Sequence, residues 1–134
     1  MYLPDCLIST LSGTSSALPC NLTTAIPSDQ VTLVLWFKGD NTKPVYTLDA
    51  RGELNSTNMI FKLSSCIGPV LEAPHHWSND DIFQGRAFFD ISSCPSQLLL
   101  DDVTPEDEAT YKCRVDYKIQ PTVVRIAKLS VIGI

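Results

Sequence analysis

Five cysteines, at positions 6, 20, 66, 94 and 113, are the densest source of chemistry in this 134-residue chain. Thiolates either hold a metal or pair as disulfides. A zinc site needs close ligand pairs such as Cys-x-x-Cys, and the spacing provides none. This cysteine usage instead fits the oxidising surroundings of secreted and cell-surface proteins. Two Asn-x-Ser/Thr sequons, at Asn21 and Asn55, point to the same compartment as glycosylation acceptors. His75 and His76 precede Asp80 and Asp81, but neighbours on an extended chain point opposite ways and do not share a metal. They read as part of a surface loop. Asp101, Asp102, Glu106, Asp107 and Glu108 form an acidic cluster. Calcium would want regularly spaced oxygens and a glycine-assisted turn, which this stretch lacks, so a solvated end is expected. No glycine-rich phosphate cradle and no nucleophile beside a base stand out. The chain reads as no enzyme, with no cofactor, no metal and no small-molecule substrate. Its net charge of −5 argues against nucleic acid and against electrostatic binding to an anionic membrane surface.

The elements that would position these groups are strands. Ala109, Tyr111, Cys113 and Val115 alternate with Thr110, Lys112, Arg114 and Asp116, the period of a half-buried strand. An acid at a turn, then a tyrosine two residues before a cysteine, describes strand F of an immunoglobulin sandwich. There the tyrosine hydroxyl bonds back to the preceding corner and the cysteine crosses to strand B on the other sheet. Cys20 is the expected partner of Cys113, and Trp36 falls where such a sandwich packs a tryptophan on that disulfide. Among Cys6, Cys66 and Cys94, three pairings are open. Cys66–Cys94 is the expected one, because it would tie down an irregular segment; Cys6 is then free or paired outside this chain.

The remaining strands follow in order. Residues 3–11 suit a frayed strand A and residues 16–22 strand B. Val31–Lys38, rich in β-branched and aromatic residues and without Gly or Pro, is the strongest strand. Pro44–Ala50 reads as C′ and Met59–Leu63 as C″; these extra strands give an all-β, variable-type (V-set) sandwich spanning 1–134 as one domain. Residues 64–84 are irregular. Gly85–Ser92, Gln97–Asp101 and Thr122–Ile132 read as D, E and G, with a short helical turn expected within 103–109. Arg86 and Asp107 stand where variable-type domains join two positions by an ion pair. If Val34 and Trp36 point inward, Leu35 and Phe37 point outward. Period-2 reasoning puts Leu35, Phe37, Tyr46, Lys112, Arg114 and Asp116 on the outer side of strands C, C′, F and G, with Tyr117 and Ile119 in the F–G turn. Apolar and aromatic groups ringed by charge have the composition of a partner-binding patch. The rival expectation is that C″ or residues 64–84 fold over this face and cover Phe37.

Five stretches narrow the reading further: 34–38 (VLWFK), 44–51 (PVYTLDAR), 76–78 (HWS), 85–89 (GRAFF) and 111–117 (YKCRVDY). Together, and in this order, they resemble the first immunoglobulin domain of the Sidestep family of insect neuronal surface proteins, over most of residues 10–132. Cys6 and the Cys66/Cys94 pair depart from that pattern. The resemblance implies a membrane-anchored parent with several immunoglobulin domains, of which this chain is an excised piece, at the extracellular face of the plasma membrane. It implies binding to immunoglobulin proteins of the Beaten path family in axon guidance and synaptic partner choice. Homophilic adhesion as a homodimer and soluble immune recognition are the alternatives.

Overall fold

The computed structural model describes residues 5–51, 59–60, 70–71 and 74–133. Eleven strands run in chain order: β1 (Cys6–Leu11), β2 (Ser16–Cys20), β3 (Val31–Lys38), β4 (Tyr46–Asp49), β5 (Met59–Ile60), β6 (Val70–Leu71), β7 (His75–Ser78), β8 (Ala87–Asp90), β9 (Ser96–Leu100), β10 (Ala109–Tyr117) and β11 (Val123–Ile132). A short α1 (Asp80–Phe83) and a 3₁₀ turn (Pro105–Asp107) complete the described elements. The front sheet has the order β1-β11-β10-β3-β4-β7 and the back sheet β2-β9-β8, while β5 and β6 pair with each other. This is an all-β sandwich, and the strands beyond β3 fit the variable type.

Alternation explains the core. From the front sheet, Val34, Trp36, Tyr111, Cys113, Val115 and Leu129 point inward; from the back sheet, Leu18, Cys20, Phe89, Leu98 and Leu100 meet them, and all are fully buried. The Cys20–Cys113 disulfide joins the two sheets. Trp36 packs edge-to-face on Phe89 with ring centroids 5.8 Å apart, a favoured aromatic geometry. Cys6 is a free thiol. Cys94 is a disulfide cysteine, and Cys66, its expected partner, lies outside the described residues.

One end of the sandwich is closed around Asp107. Tyr111 on β10 donates its hydroxyl hydrogen to the Asp107 carbonyl. The Asp107 carboxylate accepts two bonds from the Arg86 guanidinium, at 2.8 and 3.1 Å, and one from the Thr104 N–H at 2.9 Å. Burial alone would raise the Asp107 pKa, but Arg86 and Thr104 outweigh it and hold the carboxyl below its ordinary value. Arg86 also donates to the Asp101 and Asp102 carbonyls, so one side chain fastens three points of the turn into β10.

The C″ strand differs from expectation. The strand that pairs with β4 is β7, His75–Ser78, and not the segment beginning at Met59, which pairs with Val70–Leu71; residues 61–63 lie outside the described residues. Two contacts favour β7 in that position. Tyr46 and the His76 Nδ1 are 2.6 Å apart in a hydrogen bond, and the His76 ring stacks on Phe88 at 5.1 Å. His75 and His76 are therefore strand residues, not loop residues, and point to opposite sides of the sheet.

Removing the disulfide (Cys20→Ala with Cys113→Ala) should lower unfolding stability by about 4–5 kcal/mol, the chain-entropy value for so long a closed loop; denaturant unfolding measures it. Asp107→Asn should cost about 3 kcal/mol by stranding the Arg86 cation in a mostly buried site. Because the folded pKa of Asp107 is depressed, its contribution is complete above the ordinary carboxyl value near ~3.9. It should be lost as pH falls through the lower folded value, and the acid-unfolding limb of Asp107→Asn should be correspondingly shallower.

Candidate functional site

The outer face of the front sheet is set by register. Cys113 and Val115 point inward, so Lys112, Arg114 and Asp116 point outward. Across the ladder from β10 to β3, Lys112 lies opposite Phe37, Arg114 opposite Leu35 and Asp116 opposite Leu33. On the other side, Lys112 faces Ile126 and Arg114 faces Val124. Beyond β3, Leu35 is opposite Thr47, and Thr47 is opposite Trp77. One row across five strands thus reads Val124, Arg114, Leu35, Thr47, Trp77. Leu33, Leu35 and Phe37 are half-buried on this face, while Val124 and Trp77 are 47% and 50% exposed. Phe37, Asn41, Lys112, Arg114 and Val124 line a shallow depression of about 270 Å³.

The charges around it are unequal in their commitments. Arg114 is paired with Asp116, Nε to Oδ1 3.1 Å, and Asp116 also accepts the Thr122 hydroxyl at 2.7 Å. At the other side of the face, hydrogen bonds and charge from Arg51 hold the Asp49 carboxyl down to about 2, with the guanidinium 2.8 Å away. Lys112 makes no ion pair among the described residues, and it stands at the apolar depression beside Phe37. An apolar floor with one uncommitted cation can bury a partner's apolar side chain and accept a neighbouring acid.

Two residues of the expected partner-binding patch, Tyr46 on the face and Tyr117 in the F–G turn, are not at the surface. Tyr46 is buried on the inner side, because it lies opposite Trp36 and not opposite an outward residue of β3. Its hydroxyl accepts the Phe89 N–H at 3.1 Å and so reaches the back sheet. Thr47 takes the outward position. A short strand entered through a turn can slip by one residue, and one residue exchanges the faces. Tyr117 is also buried: it ends β10 with the inward parity of Val115, and its hydroxyl donates to the Thr23 carbonyl at 3.1 Å. Ile119 is exposed in the F–G turn, at the sandwich's loop end and off the sheet face.

Leu33, Val124 and Trp77 belong to the face and were not assigned to it from the sequence. The parity of Val31–Lys38 already placed Leu33 beside Leu35, and that of strand G could have placed Val124. Trp77 had no such signal, because four residues between prolines and a charged run do not establish a period. Asn21 is exposed just after β2, and its side-chain oxygen accepts the Thr23 N–H at 2.9 Å; Asn55 lies outside the described residues.

Comparisons with known proteins place this architecture. Among solved structures, the first immunoglobulin-like domain of human CD48 antigen superposes with a TM-score of 0.60 at 20% identity, covering 95% of this chain and 81% of that one. The extracellular domain of the voltage-gated sodium channel beta4 subunit, described as a parallel homodimer with a role in cell-cell adhesion, matches with a TM-score of 0.63 at 16% identity, covering 100% and 97%. A structure from work on the cell-adhesive interactions of sodium channel beta subunits gives 0.62 at 14% identity, covering 98% and 96%. At these identities the likeness is one of fold. No curated protein matches the chain. The family model for the immunoglobulin domain matches residues 6–126, and the chain belongs to that family.

Proposed function

We propose that this chain is an extracellular recognition domain that binds a second immunoglobulin domain through the outer face of its front sheet. The observation that carries the reading is the arrangement at Phe37. A continuous face offers Leu33, Leu35, Phe37, Val124 and Trp77 at its surface, with a depression beside Lys112 that Phe37 and Val124 line. Aromatic and apolar groups inside a charged margin are the anatomy of a binding patch, and large anchors in a central pocket supply most of the energy. The partner is an immunoglobulin domain of the Beaten path type, as the resemblance of residues 34–38, 44–51 and 111–117 to Sidestep proteins implies. The parent is anchored in the plasma membrane and acts in axon guidance and synaptic partner choice. This is binding, not catalysis.

A homophilic reading has one specific support: the sodium channel beta4 subunit, similar in fold, forms parallel homodimers in cell-cell adhesion. In that case the same patch pairs with itself about a two-fold axis.

Surface binding of the purified domain against a panel of Beaten path-type ectodomains, with the domain itself as one analyte, separates the readings. Phe37→Asp should weaken the captured interaction at least thirtyfold, the equivalent of about 2 kcal/mol. Because Phe37 lies outside the core, thermal unfolding should be little changed. Unaltered binding by a folded Phe37→Asp domain would contradict the face assignment.

A further inference from the structure

Asp29 is a carboxylate with almost no exposed surface and no ion pair among the described residues. Buried charge of this kind must be met by hydrogen bonds, and here the backbone supplies them. Oδ1 accepts the N–H of Gln30 and of Ile119, and Oδ2 accepts the N–H of Gln120, each at 2.8 Å. Ile119 and Gln120 lie in the turn between β10 and β11, ninety residues along the chain. Four further bonds link that turn and its approach to the loop after β2 and to the start of β3. The Lys118 N–H donates to the Gln30 carbonyl at 2.9 Å and the Ala25 N–H to Gln120 Oε1 at 3.0 Å. The Tyr117 hydroxyl donates to the Thr23 carbonyl, and the Thr32 hydroxyl donates to the Asp116 carbonyl at 3.1 Å.

We infer that Asp29 is the positioning residue of the β10–β11 turn: its carboxylate fixes the backbone at Ile119 and Gln120, so that the Ile119 side chain, 55% exposed, is presented to a partner as a preformed apolar contact. The inference rests on the recognition reading for its purpose and extends that site from the sheet face onto the loop end. The benefit is entropic. A turn already ordered loses little freedom when a partner docks, which is how preorganisation strengthens binding. The turn, Lys118–Thr122, contains no glycine and its proline donates no bond; the Asp29 carboxylate is the side chain that takes up both the Ile119 and the Gln120 N–H.

The chemistry is specific to a carboxylate. Asn has the same shape but only one acceptor oxygen. With that oxygen toward Gln30 and Ile119, the amide nitrogen confronts the Gln120 N–H, donor against donor; turned over, it confronts the other two. The groups facing Asp29 are few: the Tyr117 hydroxyl from β10, with Arg125 of β11 acting on Tyr117. Burial works to raise the Asp29 pKa, but the N–H groups of Gln120, Gln30, Ile119 and Lys118 outweigh it and leave it lowered.

Residue-resolved amide hydrogen exchange on the free domain tests this without any partner. In Asp29→Asn, exchange at Ile119 and Gln120 should rise at least tenfold, while core amides of Trp36 and Cys113 keep their protection. Unchanged exchange at both turn amides, or a rise spread evenly over the core, would overturn the inference. Should the variant not fold, the wild-type protein decides. On acidification the Ile119 and Gln120 amide resonances should titrate together, below the ordinary aspartate range near ~3.9, before the core amides move. Turn amides that ignore a carboxyl titration would overturn it. In the panel assay, Ile119→Asp should weaken capture about tenfold with turn exchange unaltered. Full binding by Ile119→Asp beside loss of binding by Phe37→Asp would remove the loop contact and leave the sheet-face reading standing.

Discussion

The covalent bond between Cys20 and Cys113 decides which way β10 faces, and most of the structure follows from that decision. With Cys113 turned to the back sheet, Tyr111 and Val115 must also turn inward, and Lys112, Arg114 and Asp116 must turn out. Hydrogen-bonded neighbours share a facing, so β3 inherits the same division: Val34 and Trp36 enter the core while Leu33, Leu35 and Phe37 come to the surface. The division passes on to β4 and β7 as Tyr46 and His76 inward, Thr47 and Trp77 outward. The candidate binding face is thus the complement of the core. It cannot be moved without reversing the strand that carries the disulfide.

Two carboxylates then fix the ends of the sandwich, by opposite means. Asp107 is held by a cation, Arg86, and by the Tyr111 corner. Asp29 is held by backbone N–H groups alone. The first closes the end formed by the turn into β10 and has a structural consequence. The second orders the loop end next to the exposed Ile119. Both carboxyls are held below their ordinary pKa, so protonation loosens each end as pH falls. Between them, the front face keeps Lys112 uncommitted beside an apolar depression, while the cations Arg86, Arg51 and Arg114 are each paired with an acid.

Much of this was legible in the sequence where a long strand or a covalent pattern fixed the parity. Val31–Lys38 has the same bounds in structure as in the sequence reading, because its eight residues hold no breaker; its strict alternation runs from Leu33 to Lys38, and a register shift against β10 turns Val31 inward. The tyrosine two before Cys113 and the tryptophan sixteen after Cys20 each carry a distance that only one packing satisfies. Legibility ended where strands are short. Reading Pro44–Ala50 as a strand leaves the facing of Tyr46 open, because a short strand entered through a turn gives no independent register; its hydroxyl in fact spans to the back sheet at Phe89. His75–Ser78 was hidden for the same reason, since its place at the sheet edge depends on Tyr46 and Phe88, not on its own periodicity. Asp29 left no mark at all, because its partners are backbone groups and backbone donors have no sequence signature.

The most direct test of the central claim reads the face itself. Side-chain NMR resonances of the domain would be followed while a captured Beaten path-type ectodomain, or the domain itself at rising concentration, is titrated in. The account predicts that the Trp77 indole and the methyls of Leu33, Leu35 and Val124 shift with saturation, while exposed Phe88 on the back sheet stays in place. Shifts confined to Phe88, with the resonances of Trp77, Leu33, Leu35 and Val124 unmoved, would contradict it.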